Sequence, residues 1–223
     1  MARLNPAEQR TRRAFDYEIV RRLASPHLSV RAFASDSGAR TERELTPAEG
    51  AAGRATLYLV EYRFEMLTGL SERASRSVAR FDLEAGDSYP HSKPLVTFVS
   101  RPVPWCGHVH PVNGVVCLGP GWEQSQGRML LAQLIVHVMR LLNFDEPPPR
   151  DGYNAEALAY FRDVLHGRPL HPALVYPRLP TELTHETERS EAESSDADDS
   201  ACFRIAPPAT ADAQAFRLVR SSR

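Results

Sequence analysis

The chain has 223 residues, a formal net charge of −1 and an ordinary apolar fraction of 42%. That length fits one domain with appendages or at most two small ones, and the near-zero charge gives no bulk reason to bind nucleic acid or an anionic membrane. No apolar run reaches the roughly 18 residues of a membrane span, and residues 1–13 are polar and basic without the apolar stretch of a secretory signal.

The cysteines are Cys106, Cys117 and Cys202, an odd number that makes no disulfide framework. A reducing, cytoplasmic location is the expectation, with at least one thiol available for chemistry. Lysine occurs once, as Lys93, against abundant arginine. Either a GC-rich genome or the avoidance of acceptor amines on a protein that handles activated carbonyls accounts for this bias.

Residues 6–24 carry Phe15, Ile19, Val20 and Leu23 at helical spacing, with Asn5 placed to cap and Pro6 in the first turn. Ser25-Pro26 ends the helix, because the residue before proline is pushed out of the helical region. Residues 27–34 alternate as a first strand. Residues 35–54 are polar and read as an exposed loop with one helical turn near Pro47. Residues 55–67 are rich in β-formers and alternate from Tyr58, and Thr68-Gly69 marks a turn.

Residues 77–83 form a further strand. The stiff loop Y-P-H-S-K-P (89–94) leads to a short strand over 95–99. A helix followed by about four strands on short links predicts an antiparallel meander. The segment 128–142 has the strongest helical period, with Met129, Leu130, Leu134, Val138, Leu141 and Leu142 on one face. A proline-rich loop follows, then a helix over 153–166 capped by Asn154. The fold class is therefore α+β, with one domain over residues 1–180. Residues 181–200 are Ser, Glu and Asp with too little apolar surface to offset ordering entropy, so the tail 181–223 reads as acidic and disordered. Residues 203–219 are mildly apolar again, which suits either a docking tail or a loose terminus.

Chemistry concentrates in residues 108–122, H-V-H-P-V-N-G-V-V-C-L-G-P-G-W. Asn113-Gly114 is a turn signal, Val115-Val116 leads into Cys117, and Gly119-Pro120-Gly121 turns the chain away behind it. The cysteine is either a buried structural thiol or a nucleophile at the end of an extended run, with His108, His110 and Asn113 nearby as polar donors. Cys106, His108, His110 and Cys117 are zinc-ligand types, but C-x-H-x-H-x₆-C is not a common structural zinc spacing. A Cys–His hydrolase dyad has its residue types here and no protease signature. The remaining carboxylates of interest, Asp145, Glu146 and Asp151, lie in the loop behind the long helix.

Taken in order, these motifs resemble the ubiquitin-conjugating enzymes over roughly residues 6–165. Y-P-H-S-K-P-L-V-T-F (89–98) is similar to that family's Y-P-x-x-x-P and following strand. N-G-V-V-C-L (113–118) is similar to its N-G-x-(I/V)-C-L, and Trp122, Leu141-Leu142-Asn143 and Asn154-Ala155-Glu156-Ala157 also match. One departure is plain: His110-Pro111 is followed by Val112, where the family has asparagine, and Asn113 already belongs to the N-G turn. Divergence of this kind resembles bacterial members associated with ubiquitin-like modification or antiviral signalling.

The resemblance implies an N-terminal helix, a four-stranded meander, an active-site loop and C-terminal helices. It implies that Cys117 takes a ubiquitin-like modifier from an activating enzyme as a thioester and passes it to an amine on a target protein. Asn113, His110 or His108 supplies the oxyanion donor, and Asp151 is the first choice to orient the incoming amine. The scheme calls for no cofactor, no metal, no nucleic acid and no membrane. The second class is a non-catalytic module of the same fold that binds a ubiquitin-like protein or another pathway partner.

Overall fold

A computed structural model describes residues 5–23, 25–36, 41–85, 89–119, 121–125, 128–146 and 152–179. Helix α1 (Pro6–Val20) begins with a reciprocal cap. Asn5 Oδ1 accepts from the N–H groups of Ala7 and Glu8, and Glu8 accepts the Asn5 N–H at 2.8 Å. The helix ends at Val20 rather than near residue 24, with Arg21 at its C-cap.

The strands are β1 (Leu28–Asp36), β2 (Thr41–Glu44), β3 (Leu57–Tyr62), β4 (Met66–Leu67), β5 (Arg73–Ala74), β6 (Ser77–Asp82) and β7 (Leu95–Phe98). The main sheet is antiparallel in the order β2-β1-β3-β6-β7, and β4 and β5 pair as a separate small hairpin. The expected four-strand meander is thus a five-stranded sheet. The extra strand lies inside the segment read as a loop. β2 is T-E-R-E, held along β1 from Phe33↔Glu44 to Asp36↔Thr41. A charged edge strand carries no apolar alternation and leaves no periodic signal. The same segment holds helix α2 (Pro47–Ala51), capped by Thr46 with Glu49 returning the bond. Gly50 packs on the Tyr17 ring so closely that a Cβ there would stand 2.2 Å from it.

Alternation along β3 sends Tyr58, Val60 and Tyr62 to one face, where all are fully buried beside Ala79, Phe81, Val96 and Phe98. Helix α4 (Leu131–Leu142) closes that face. Its Leu131, Leu134, Ile135, Val138 and Met139 join the same core, and the Tyr62 hydroxyl donates to the Ile135 carbonyl at 3.0 Å. Helices α3 (Gly121–Gln124) and α5 (Ala155–Asp163) flank it, the latter capped by Asn154 Oδ1 accepting from the Ala157 N–H at 3.1 Å.

One buried carboxylate ties the layers together. Asp16 on α1 is fully buried and accepts from Arg12 Nε at 2.8 Å, from the Tyr89 hydroxyl, and from the Leu131 N–H at 3.0 Å. Burial pushes the Tyr89 phenol well above its ordinary range, so it stays protonated and donates. The Tyr89–Pro90 segment, whose peptide bond is cis, is also fastened from behind. Trp122 Nε1 donates to the Pro90 carbonyl at 2.9 Å, and its ring lies 5.9 Å from that of Tyr89. The α1–α4 junction and the Trp122 end of the cysteine segment are therefore both fastened to the Tyr89–Pro90 loop.

Candidate active site

Residues 108–117 fold back on themselves as a short antiparallel loop laid along the free edge of β7. Val109 bridges Val116 and Val115 bridges Thr97. The Val116 N–H donates to the Val96 carbonyl and the Phe98 N–H to the Gly114 carbonyl, at 2.9 and 2.8 Å. Gly114 sits at φ +75°, and a Cβ there would stand 2.6 Å from the Phe98 carbonyl oxygen, so this turn requires glycine. The N-G pair thus sets the register that carries Cys117 to the end of the bridged run.

The two histidines do different work. His108 faces the cysteine peptide: the Cys117 N–H donates to the His108 carbonyl at 2.7 Å, and His108 Nδ1 lies 3.1 Å from the Cys117 carbonyl. A carbonyl only accepts, so His108 carries its proton on Nδ1. His110 closes the turn instead. Its Nδ1 accepts from the N–H groups of Val112 and Asn113 at 3.3 and 3.4 Å, which leaves Nε2 as its protonated nitrogen, and the ring stands edge-on to Tyr153 at 5.5 Å. Asn113 is exposed, and its Oδ1 accepts the Val115 N–H at 3.0 Å within its own turn.

Cys117 is half-buried, whereas Cys106 is buried. Burial pushes the Cys106 thiol up to about 12, which removes it as a nucleophile or metal thiolate near neutral pH. Among the described residues no group of three His, Cys, Asp or Glu side chains is placed to hold a metal ion. Cys117 opens instead onto a groove of about 570 Å³. Lys93, Pro94, Leu95 and Val96 form one wall, Val115 to Gly119 the other, and Tyr153 stands at its end.

The structure thus gathers Cys117, His108 and His110 around one loop. It puts the Asn113 side chain in the turn behind the groove rather than among its lining residues. Of the loop carboxylates, Glu146 is held by His137 of α4 at 2.9 Å and Asp145 is exposed. Asp151, the first choice for orienting an amine, lies outside the described residues, as do Cys202 and the acidic tail. Two lining residues escaped the sequence reading as site residues. Lys93 had a signal in being the only lysine. Tyr153 had none beyond its place before the Asn154 cap.

No protein-family model and no curated protein matches the chain. Among solved structures that match is one described as "Novel Ubiquitin-Conjugating Enzyme", 14% identical, with the match covering 73% of this chain and 94% of that chain at a TM-score of 0.43. No helix among the described residues is long and apolar enough to cross a membrane.

Proposed function

We propose that this chain is a conjugating enzyme for a ubiquitin-like protein, with Cys117 as the thioester carrier. The observation that carries the reading is the half-buried thiol at the rim of a groove, on the N-G-V-V-C-L segment, with its own peptide clamped on both sides by His108. A nucleophile that must meet a large protein thioester needs an open approach and a fixed backbone, and this segment supplies both.

In the cycle, the Cys117 sulfur attacks the thioester carbonyl on an activating enzyme. The carbon–sulfur bond to that enzyme breaks, and the modifier is left on Cys117. An amine on a target then attacks the new thioester and the Cys117 thiolate leaves. Cysteine suits both steps, being a strong nucleophile and a good leaving group. Each step passes through an oxyanion, for which a preorganised donor contributes roughly 10²–10³ in rate. The donors belonging to this loop are the Asn113 amide, the His110 Nε2–H and backbone N–H groups. His108 acts by position, holding the Cys117 carbonyl. Asp151 is assigned to the incoming amine, which needs a carboxylate to orient it and take up its proton. The setting is cytoplasmic, in a bacterial ubiquitin-like or antiviral pathway, and the partners are an activating enzyme, the modifier and a target amine.

The test is charging with the activating enzyme, modifier and ATP, followed by electrophoresis with and without reductant. A reductant-sensitive adduct that vanishes in Cys117→Ala is the expected result, and the same adduct surviving in that variant would refute the assignment. The engagement of Asn113 in its own turn favours one second reading, a non-catalytic module that binds a ubiquitin-like protein. In that case Cys117→Ala leaves cellular function intact.

A further inference from the structure

The groove beside Cys117 is walled by residues 94–96 and 115–118, all apolar apart from the thiol. Leu95 and Tyr153, which line it, are 45% and 47% exposed, so large apolar side chains stand in water there. Among the described lining residues Lys93 is the one that carries charge, and its sign is positive. A segment suited to cover this surface is narrow, extended and apolar on one side, with acidic residues beside it.

The chain carries such a segment outside the described residues. In C-F-R-I-A (202–206), Phe203 and Ile205 fall on one side of an extended backbone and Cys202 and Arg204 on the other. Pro207 turns Ala206 away from the helical region, which favours the extended form. Asp196, Asp198 and Asp199 stand immediately ahead of it. The tail's second apolar group, Phe216, Leu218 and Val219, is flanked instead by Arg217 and Arg220, which share the sign of Lys93. Length permits the contact as well. The described chain ends at Leu179, packed against the core, and residues 180–202 separate it from Phe203. A coil of that length spans roughly 25–30 Å, against a radius of gyration of roughly 16 Å for a body of this size.

We propose that Phe203 and Ile205 of the chain's own tail dock in the Cys117 groove, covering Leu95 and Tyr153, with the carboxylates of residues 196–199 beside Lys93. The contact stands whether or not Cys117 carries a thioester. Under the proposed function it makes the tail a competitor for the space that the modifier's C-terminus enters. A short tether holds the segment at about millimolar effective concentration, so two anchoring side chains fill the groove part of the time without sealing it. A groove about half-occupied weakens entry of a partner by only about twofold.

The test uses the full chain carrying Cys117→Ser, with a nitroxide on Cys202 and Cys106 spared by its burial. Methyl signals are recorded with the nitroxide active and then reduced. The active nitroxide is expected to erase the signals of Leu95, Val96 and Val115 and to leave that of Leu45, which follows β2 at the opposite edge of the sheet. The erased signals return when Phe203→Ser and Ile205→Ser are combined. They return in part when Asp196, Asp198 and Asp199 are all replaced by asparagine, and stay erased in Phe216→Ser with Leu218→Ser. Groove signals that survive in the parent, that vanish equally with Leu45, or that stay erased without Phe203 and Ile205 overturn the proposal, as does recovery in the 216/218 variant. An isotopically labelled chain without nitroxide, mixed with an unlabelled chain carrying it, keeps its groove signals. Their loss in that mixture makes a second copy the occupant and overturns the proposal. The readout contains no acyl chemistry, so its failure leaves the thioester function standing, and failure of Cys117 to charge leaves the docking standing.

Discussion

Cys106 and Cys117 sit close in sequence and differ in access: one is buried and the other borders a groove. With its thiol pushed up to about 12, Cys106 is on the order of one part in ten thousand thiolate at pH 8. Brief alkylation of the native chain at that pH is therefore expected to label Cys117 and spare Cys106 until the chain is unfolded. Peptide mapping checks it, and early labelling of Cys106 contradicts it. The same shift has a sign in stability. The folded state holds the Cys106 proton more tightly than the unfolded chain, so this contribution is intact below the ordinary thiol range. It declines as pH rises from about 9 toward 12. His108 gives a second prediction. Replacing it with alanine removes the hold on the Cys117 carbonyl, and the loss of one such bond, about 0.5–1.5 kcal/mol, lowers the charging rate roughly 2- to 10-fold. The sequence places both histidines near the cysteine but does not separate their roles. Which one faces the thiol's peptide depends on the hairpin register, and that depends on the contact of Gly114 with Phe98.

Two contacts between elements set how firmly the site is held. Asp16, itself fully buried, joins α1, the Tyr89–Pro90 loop and the first turn of α4 through three accepted bonds. Asp16→Ala removes the carboxylate partner of Arg12 and the acceptor of two further donors, and a loss of about 3–5 kcal/mol is expected in denaturant unfolding. A loss under about 1 kcal/mol would mean that the junction is held by apolar packing instead. Asn143, at the end of α4, is the second. Its amide donates to the His171 carbonyl and the Tyr176 hydroxyl, and its Oδ1 accepts the His171 N–H at 2.8 Å. Asn143→Ala is expected to cost about 1–3 kcal/mol and to expose residues 170–179 to limited proteolysis. The sequence reads α4 well, since an unbroken amphipathic run announces itself, and it reads α1 from its cap. It misses β2, whose side chains are all polar, and the two-residue strand β5, which is too short to show a period, and it runs β4 on from β3 without the break between them. Nothing in the sequence singles out Asp16, because two of its three partners are distant in sequence.

For the molecule as a whole, an α+β body with an antiparallel sheet covered by helices presents one edge loop that carries a thiol into a groove. The place of Cys117 at the end of an extended run was legible in the sequence from the N-G turn and the apolar run before it. The groove was not, because its two walls, residues 93–96 and 115–119, come together only through the pairing of β7 with the cysteine segment. Under the proposed function, residues 1–180 are the catalytic unit. A chain ending at residue 180 is expected to charge at a rate within about twofold of the full chain, well under the tenfold that 1.4 kcal/mol represents. A larger drop places part of the machinery in residues 181–223. The most direct measurement of the central claim is the chemistry of the bond at position 117. The wild type and Cys117→Ser are each incubated with the activating enzyme, modifier and ATP, and their intact masses are recorded before and after reductant. The wild type is expected to gain one modifier that reductant removes, and the serine variant either nothing or an oxygen ester that reductant leaves in place. A serine variant that gained a reductant-labile modifier would show that another thiol carries it, and would contradict the account.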